Sequence, residues 1–452
     1  MDRAVALRPD AGGGSIAREP APTITTRIRR AAGSGAALLS IGTLASGVLA
    51  YVFNLLAARA LGPAEYGPVA VLWAAMFLVS VVLFRPVEQT LSREIADRRA
   101  RGEDARQVTR AATRLTVALV ALVTVLVAVA WGPLTDDLFG GRELMTVALW
   151  AGIAGYAISY YVRGLLSGLE DLGDYGLLLL VDGAARVAFA VPLVAVASPA
   201  VAAIAIVAAA LGGPLAVHLA ARRRRGAPRA ERLAGTGSRP FALTRALGFA
   251  APIAVVAGAE QILVSGGALL VAITGGASAT AAAGTVFAAT MLVRAPVFLF
   301  QGVAAALLPR FTGLSAVGDN RAVLRQVGAM AGGMLALSAL LVTGALVAGP
   351  EIMTLLFGAG FDVGRGDLAI LSAGVGTYLA AATLSQAVLA RGRSLAAAGA
   401  WVTAATTFVV VELSIAGAPF HRVSVAFAVA TAIACALLAF LVARGPGARA
   451  DD

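Results

Sequence analysis

The residues of this chain that could do chemistry are few, and most of them stand in apolar surroundings. The stretch VFAATMLVRAPVFLFQ (286–301) holds Arg294 in its middle and Gln301 at its end. A charge at the centre of a membrane helix costs about 2.5–3.5 kcal/mol on insertion scales. Arg294 therefore needs an anion or a wet cavity, and its guanidinium would give either one charge-assisted hydrogen bonds. Glu260 and Gln261 lie midway along another apolar run, after Pro252. Glu260 and Arg294 are too deep to reach an interface, so each must face protein or a water-filled space.

Other polar groups recur at helical spacing. Thr43, Gly47, Tyr51 and Asn54 form one stripe; Arg85, Glu88 and Ser92 form another, beside Pro86. Tyr156, Tyr160, Arg163 and Ser167 align, and Thr290, Arg294 and Gln301 share a face with Phe287 and Phe298. Each group also has a purely structural reading. Arg85 and Arg163 can snorkel to an interface, and Tyr156 and Tyr160 can pack. Asp182 and Arg186, at i and i+4, can neutralise one another. Glu412 is near enough to a segment end to be partly hydrated.

Catalytic and cofactor chemistry finds little support. The single cysteine, Cys435, excludes an internal disulfide and a CxxC site. The two histidines, His218 and His421, are far apart and belong to no HExxH motif. GAGFDVG (358–364) lacks the GxGxxG spacing and reads as a Gly-rich turn. No enzyme activity, cofactor, metal or nucleic-acid partner is expected.

The elements that must position these side chains are membrane helices. The 452 residues are 59% hydrophobic and 13% charged, about half the charge of a soluble domain. Apolar runs of bilayer length predict twelve segments: 36–58, 66–88, 112–132, 144–166, 176–197, 199–221, 246–273, 278–303, 326–348, 367–389, 395–416 and 422–443. All 36 basic residues are arginines. Thirty lie in or against the two tails and the even-numbered loops. The odd-numbered loops hold only Arg59, Arg142, Arg365 and Arg422, while Arg186 and Arg294 are internal. Cytoplasmic loops carry the arginine excess, so both termini are expected in the cytoplasm.

The basic stretch RRRRGAPRAERLAGTGSRP (222–240) is read as a topology anchor and flexible linker. It divides the chain into a tail (1–35), six segments (36–221), a linker (222–245), six further segments (246–443) and a second tail (444–452). Both halves begin on the same side, so any repeat would be parallel, about an axis along the membrane normal. The first 26 residues, rich in Gly, Ala, Pro and Arg, are expected to be disordered.

Several stretches resemble the polysaccharide flippases of the multidrug/oligosaccharidyl-lipid/polysaccharide exporter superfamily. They are FNLLAARALGPAEYGPVAVLWA (53–74), PVEQTLSREIADRRARGE (86–103), RGLLSGLEDLGDYGLLLLVDGAAR (163–186), AALLPRFTGLSAVGD (305–319) and PEIMTLLFGAGFDVGRGDLAILS (350–372). They occur in the family's order over nearly the whole chain after residue 35. The resemblance implies an all-α polytopic membrane protein of two six-helix bundles around a central cavity lined mainly by helices 1, 2, 7 and 8. It implies rocking between inward-open and outward-open states of a monomer in the bacterial cytoplasmic membrane. The implied cargo is a polyprenyl-pyrophosphate-linked oligosaccharide, with membrane lipid, a polysaccharide polymerase or glycosyltransferases as the other partners.

Arg294, Arg85, Glu260, Gln261, Asn54 and Gln301 all fall on those four helices and are the expected substrate-binding residues. Arg294 would hold the pyrophosphate in the loaded state and pair with Glu260 in the empty one, the alternative being a permanent Arg294–Glu260 bridge that only holds the helices together. One departure is that the seventh helix has Gly266 and Gly267 where the family often has an acidic residue, which removes a simple cation-coupling site. Rival readings are a multidrug exporter of the same superfamily, which would want an acidic, aromatic cavity, and a membrane-embedded glycosyltransferase, which would want larger loops.

The arginine bias sets a test. In a Cys435→Ala background, a cysteine placed at Ala230 should react with an impermeant thiol reagent in inside-out vesicles only. Labelling in intact cells would reverse the orientation.

Overall fold

The computed structural model describes residues 35–223, 232–235, 243–294 and 320–444. Every regular element among them is helical, as a bilayer requires, because a helix satisfies its own backbone polar groups. Helices α1 (35–61) and α2 (63–100) are limbs of one stretch, Gly35–Ala100, that reverses at Gly62. Phe53 and Trp73 stack across the reversal with centroids 6.1 Å apart, where a straight helix would separate them by about 30 Å. Gly62 has φ 69° and ψ 171°, a region open essentially to glycine alone.

Next come α3 (Arg106–Val129), α4 (Glu143–Gly168) and α5 (Leu172–Ala188), which a short helix, Ala190–Val196, continues. Then follow α6 (Pro199–Arg223) and α7 (Leu243–Gly275). A tight turn at Gly276–Ala279 leads into α8 (Thr280–Val293). The remaining helices are α9 (Asn320–Phe357), α10 (Arg365–Ala390), α11 (Ser394–Ser414) and α12 (Pro419–Ala443). Ten helical stretches among the described residues are long and apolar enough to cross a membrane. Two of them, Ala37–Ala100 and Ala251–Val293, contain a reversal, which makes twelve spans.

The expected segments hold within the described residues, the eighth being described as far as Arg294, with local departures that prolines explain. Pro192 has no N–H for the Ala188 carbonyl, and α5 breaks there. Pro350 likewise leaves the Leu346 carbonyl without its helical donor, and α9 kinks at Ala348 (φ −137°) before running on to Phe357. Arg365 supplies the missing donor, its Nη1 lying 3.1 Å from the Leu346 oxygen and 2.7 Å from that of Val347. Gly358 and Gly360, with φ of 101° and 96°, turn the chain between α9 and α10, as the Gly-rich reading expects. Glu412 corrects its expectation: it is fully buried and meets Arg422 at 3.3 Å. The N-terminal tail, Gln301 and the 305–319 motif lie outside the described residues.

Two bundles are built on one plan. α1 packs on α5, α2 and α3 on α4, and α6 on both α4 and α5. Six helices later, α7 packs on α11, α8 and α9 on α10, and α12 on both α10 and α11. Small residues permit the close contacts: a Cβ on Gly42 of α1 would fall 2.3 Å from the Gly176 oxygen of α5. The linker is less free than its composition suggests. Leu233 is buried with Ile95, Val108 and Leu169 of the first bundle. The Ala105 N–H donates to the Leu233 carbonyl at 2.9 Å, and Arg232 pairs with Asp171 at 2.9 Å. Nearby, Asp104 accepts the Arg106 N–H at 2.7 Å and starts α3. The Arg106 side chain holds the Asp104 carboxyl below its ordinary range.

At the end of the molecule that carries Gly62 and the 276–279 turn, α2 and α8 seal the two bundles together. A Cβ on Gly67 would fall 2.0 Å from the Thr280 oxygen, and one on Gly284 would fall 2.9 Å from the Gly67 Cα. Tyr66 of α2 inserts between Phe287 and Phe361, with centroids 6.4 and 6.1 Å away. Arg59 adds a bond to the Leu355 carbonyl at 2.6 Å. Gly67→Ala should part this seam. Spin labels on residues 65 and 278 should then read a longer distance than in the parent, and an unchanged distance would contradict the seam.

Candidate functional site

A cavity of about 500 Å³ lies between the bundles, with walls from α1, α2, α4, α5, α7 and α8. Its charged wall residues are Arg85, Arg163, Arg186 and Arg294, against Glu88 and Asp182. Among the described residues, four guanidiniums thus face two carboxylates.

The first bundle contributes most of this charge. Asp182 on α5 organises it. Arg186, one turn further on, reaches Asp182 Oδ1 at 2.8 Å, and Arg163 on α4 comes within 3.8 Å of Oδ2. The Tyr156 hydroxyl donates to the same carboxylate at 3.2 Å and accepts from Arg186. One carboxylate therefore serves two cations. Aromatic faces fix their planes: Arg163 lies 5.0 Å from the Tyr160 centroid and Arg186 lies 5.0 Å from that of Trp73, both within cation–π range. The Nε atoms of Arg163 and Arg186 are buried without a hydrogen-bond partner.

Arg85 on α2 opens into the cavity and makes no hydrogen bond or ion pair with any described residue. Glu88, one turn away, is occupied by the Tyr175 hydroxyl at 2.6 Å. Arg294 stands at the end of α8 and is only 7% exposed. Its Nη1 donates to the Val264 carbonyl of α7, and its Nε is buried without a partner. No carboxylate pairs with it among the described residues. The expected Arg294–Glu260 pair is not formed. Arg294 docks on the α7 backbone one turn beyond Glu260, and the cation whose charge reaches Glu260 is Arg85.

Of the six expected site residues, Arg85, Arg294 and Gln261 line the cavity. Gln261 donates to Ser265 Oγ at 2.7 Å. Glu260 is half-buried beside the wall and not part of it. Asn54 points away and accepts the Tyr66 hydroxyl at 3.1 Å, which holds the aromatic plug of the seam in place. Gln301 lies outside the described residues.

Sequence reasoning missed the part played by α4 and α5. The signal was present, because Arg163 and Arg186 together outnumber Asp182, and two cations sharing one acid cannot both be neutralised by it. Gly266 and Gly267 face the other way. A Cβ would meet Phe408 at 3.4 Å from the first and Val423 at 2.6 Å from the second. An acidic side chain there would be wedged between helices and not held in the cavity.

Residues 32–315 match the family model described as polysaccharide biosynthesis protein. No curated protein sequence matches the chain. Among solved structures, the fold is similar to that of a multidrug resistance MATE family transporter of the MOP superfamily in an inward-facing conformation. The TM-score is 0.67 at 15% identity, over 90% of this chain and 94% of the other. It is also similar to the lipid II flippase MurJ in an inward closed conformation, at TM-score 0.64 and 14% identity, over 89% and 87% of the two chains. A mutant of the Vibrio cholerae MATE transporter VcmN matches at TM-score 0.61 and 15% identity, over 91% and 95%.

Proposed function

The chain belongs to the polysaccharide biosynthesis protein family, and from that premise we propose that it is an alternating-access flippase. Its cargo is a polyprenyl-diphosphate-linked oligosaccharide, moved from the cytoplasmic to the outer leaflet for cell-surface polysaccharide assembly. The observation that carries this reading is the surplus of guanidinium in the cavity among the described residues, above all Arg294, which no described carboxylate pairs with, and Arg85, which makes no hydrogen bond or ion pair with a described residue.

A diphosphate taken unaided through hydrocarbon would lose its water at a cost of many kcal/mol. Guanidiniums replace that water with charge-assisted, bidentate bonds. Arg294 is held by a backbone carbonyl and not by an acid, so an anion can take it without breaking an ion pair. The aromatic walls at Trp73, Phe77 and Tyr160 suit the apolar faces of sugar rings.

The arginine bias places the termini in the cytoplasm, so the α2–α8 seam closes the outer end. The cavity is then loaded from the cytoplasmic leaflet, and release outward requires Gly67 and Gly284 to separate. The protein works in the bacterial cytoplasmic membrane without enzymatic chemistry.

A second reading, export of a cationic drug, draws on the similarity to multidrug transporters. Four guanidiniums against two carboxylates oppose a cation electrostatically. Both readings meet one experiment. The protein is reconstituted in vesicles and given a fluorescent polyprenyl-diphosphate disaccharide or a cationic dye. Arg294→Gln should slow flipping of the disaccharide about tenfold or more, the loss of one charged hydrogen-bonding group. Its unfolding midpoint should not fall, because a buried unpaired charge has been removed. Wild-type flipping by Arg294→Gln, or dye transport in place of disaccharide flipping, would overturn the proposal.

A further inference from the structure

A second concavity lies on the outside of the same seam between bundles. It is a groove of about 520 Å³ formed by α2, α7 and α11, and Thr406 is its one polar lining residue. Ala254, Gly258, Ala259 and Ala405 form a floor of small residues. Val82, Val255, Val402 and Val410 stand around it, each more than 40% exposed. α7 separates groove from cavity: Gln261, Val264 and Ser265 face the cavity, and Val255, Gly258 and Ile262 face the groove.

The partition between the two spaces is thin. Where α2 crosses α7, a Cβ on Gly258 would lie 3.3 Å from a Val82 methyl. Val82 is one helical turn from Arg85, the open guanidinium on the cavity side. On α11 the groove extends over positions 402–410, a rise of about 12 Å. α7 and α11 both run towards the sealed end, so the groove leads from the neighbourhood of Arg85 towards the middle of the membrane. That is the path of a lipid tail whose anionic head is held at Arg85 in the cytoplasmic leaflet.

We propose that this α2–α7–α11 groove seats the isoprenoid chain of the cargo while the diphosphate occupies the arginine cavity. The inference rests on the lipid-linked cargo proposed above. The occupant follows from charge and continuity. The head site is cationic, the groove beside it is apolar, and the two meet where α2 crosses α7 at Val82 and Gly258. A floor without large side chains leaves room for the methyl branches that distinguish an isoprenoid from a straight acyl chain. An ordinary phospholipid would wet this surface as it wets any other, without preferring it to the remaining lipid-facing positions.

The test uses the full chain in vesicles of phosphatidylethanolamine and phosphatidylglycerol, with a polyprenyl diphosphate carrying a diazirine along its isoprenoid chain. Photolysis and peptide mapping should place cross-links at Val255, Val402 and Thr406. Val117 on α3, which is 62% exposed, should stay unlabelled, while a diazirine phospholipid should label Val117 and the groove alike. Thr406→Trp, at an exposed position, should fill the groove and slow flipping of the long-chain probe about tenfold, with binding of inorganic diphosphate unchanged. Equal labelling of Val117 and the groove by the isoprenoid probe would overturn the inference, as would parental flipping by Thr406→Trp. Failure of the parent protein to bind inorganic diphosphate would overturn the reading of the cavity itself, and this inference with it. Intact diphosphate binding with uniform labelling would overturn the groove alone.

Discussion

A guanidinium kept from water without a carboxylate is among the costliest groups a membrane protein can retain, and Arg294 at the centre of this fold is such a group among the described residues. Arg294 lies at the end of α8, where a backbone carbonyl of α7 takes one of its donors. Arg85 stands open on α2. Arg163 and Arg186 share Asp182 and lean on Tyr160 and Trp73. The arrangement keeps the cations in place without using up their charge. A neutral cavity could be built from the same helices with two further acids. Among the described residues the wall instead carries four guanidiniums and two carboxylates.

The seam that holds the bundles together answers the same requirement from the other side. A cavity that delivers cargo must open at one end at a time, and here one end is closed by close contacts. Gly67 and Gly284 bring two backbones together, and Tyr66 fills the space behind them with its hydroxyl tied to Asn54. The glycine contacts themselves carry no side chain to extract, so Tyr66 is the group that must be drawn out. The aromatic plug belongs to the first bundle and its receptor, Phe287 and Phe361, to the second, so separation of the bundles also withdraws the plug. The linker segment at 232–235 is docked on the first bundle.

Much of the fold was legible in the sequence because bilayer length and helical backbone closure leave little choice. The apolar runs and the alternation of arginine-rich loops yield the twelve spans, and prolines at 192 and 350 account for the breaks that run length alone does not show. The site was legible in part. Arg294 and Gln261 were legible by their depth in apolar runs, and Arg85 by its place on a polar stripe with Glu88 and Ser92. Asn54 carries the same signal for a different reason, since its partner Tyr66 is brought to it only by the reversal at Gly62. The Arg163–Asp182–Arg186 cluster was hidden because i,i+4 neighbours suggest a closed pair, and the third member comes from another helix. The position of Glu260 relative to Arg294 depends on the rotation of α7 by one turn, which no spacing rule fixes.

The central claim is that the unpaired arginines bind the diphosphate of a lipid-linked cargo. It is tested most directly by an electron cryomicroscopy map of the protein in lipid nanodiscs with a polyprenyl diphosphate added. The account predicts phosphate density in the cavity within hydrogen-bonding reach, about 2.7–3.2 Å, of both the Arg85 and Arg294 guanidiniums, with Arg294 released from the Val264 carbonyl. A map in which Arg294 remains on that carbonyl and the diphosphate lies outside the cavity would contradict it.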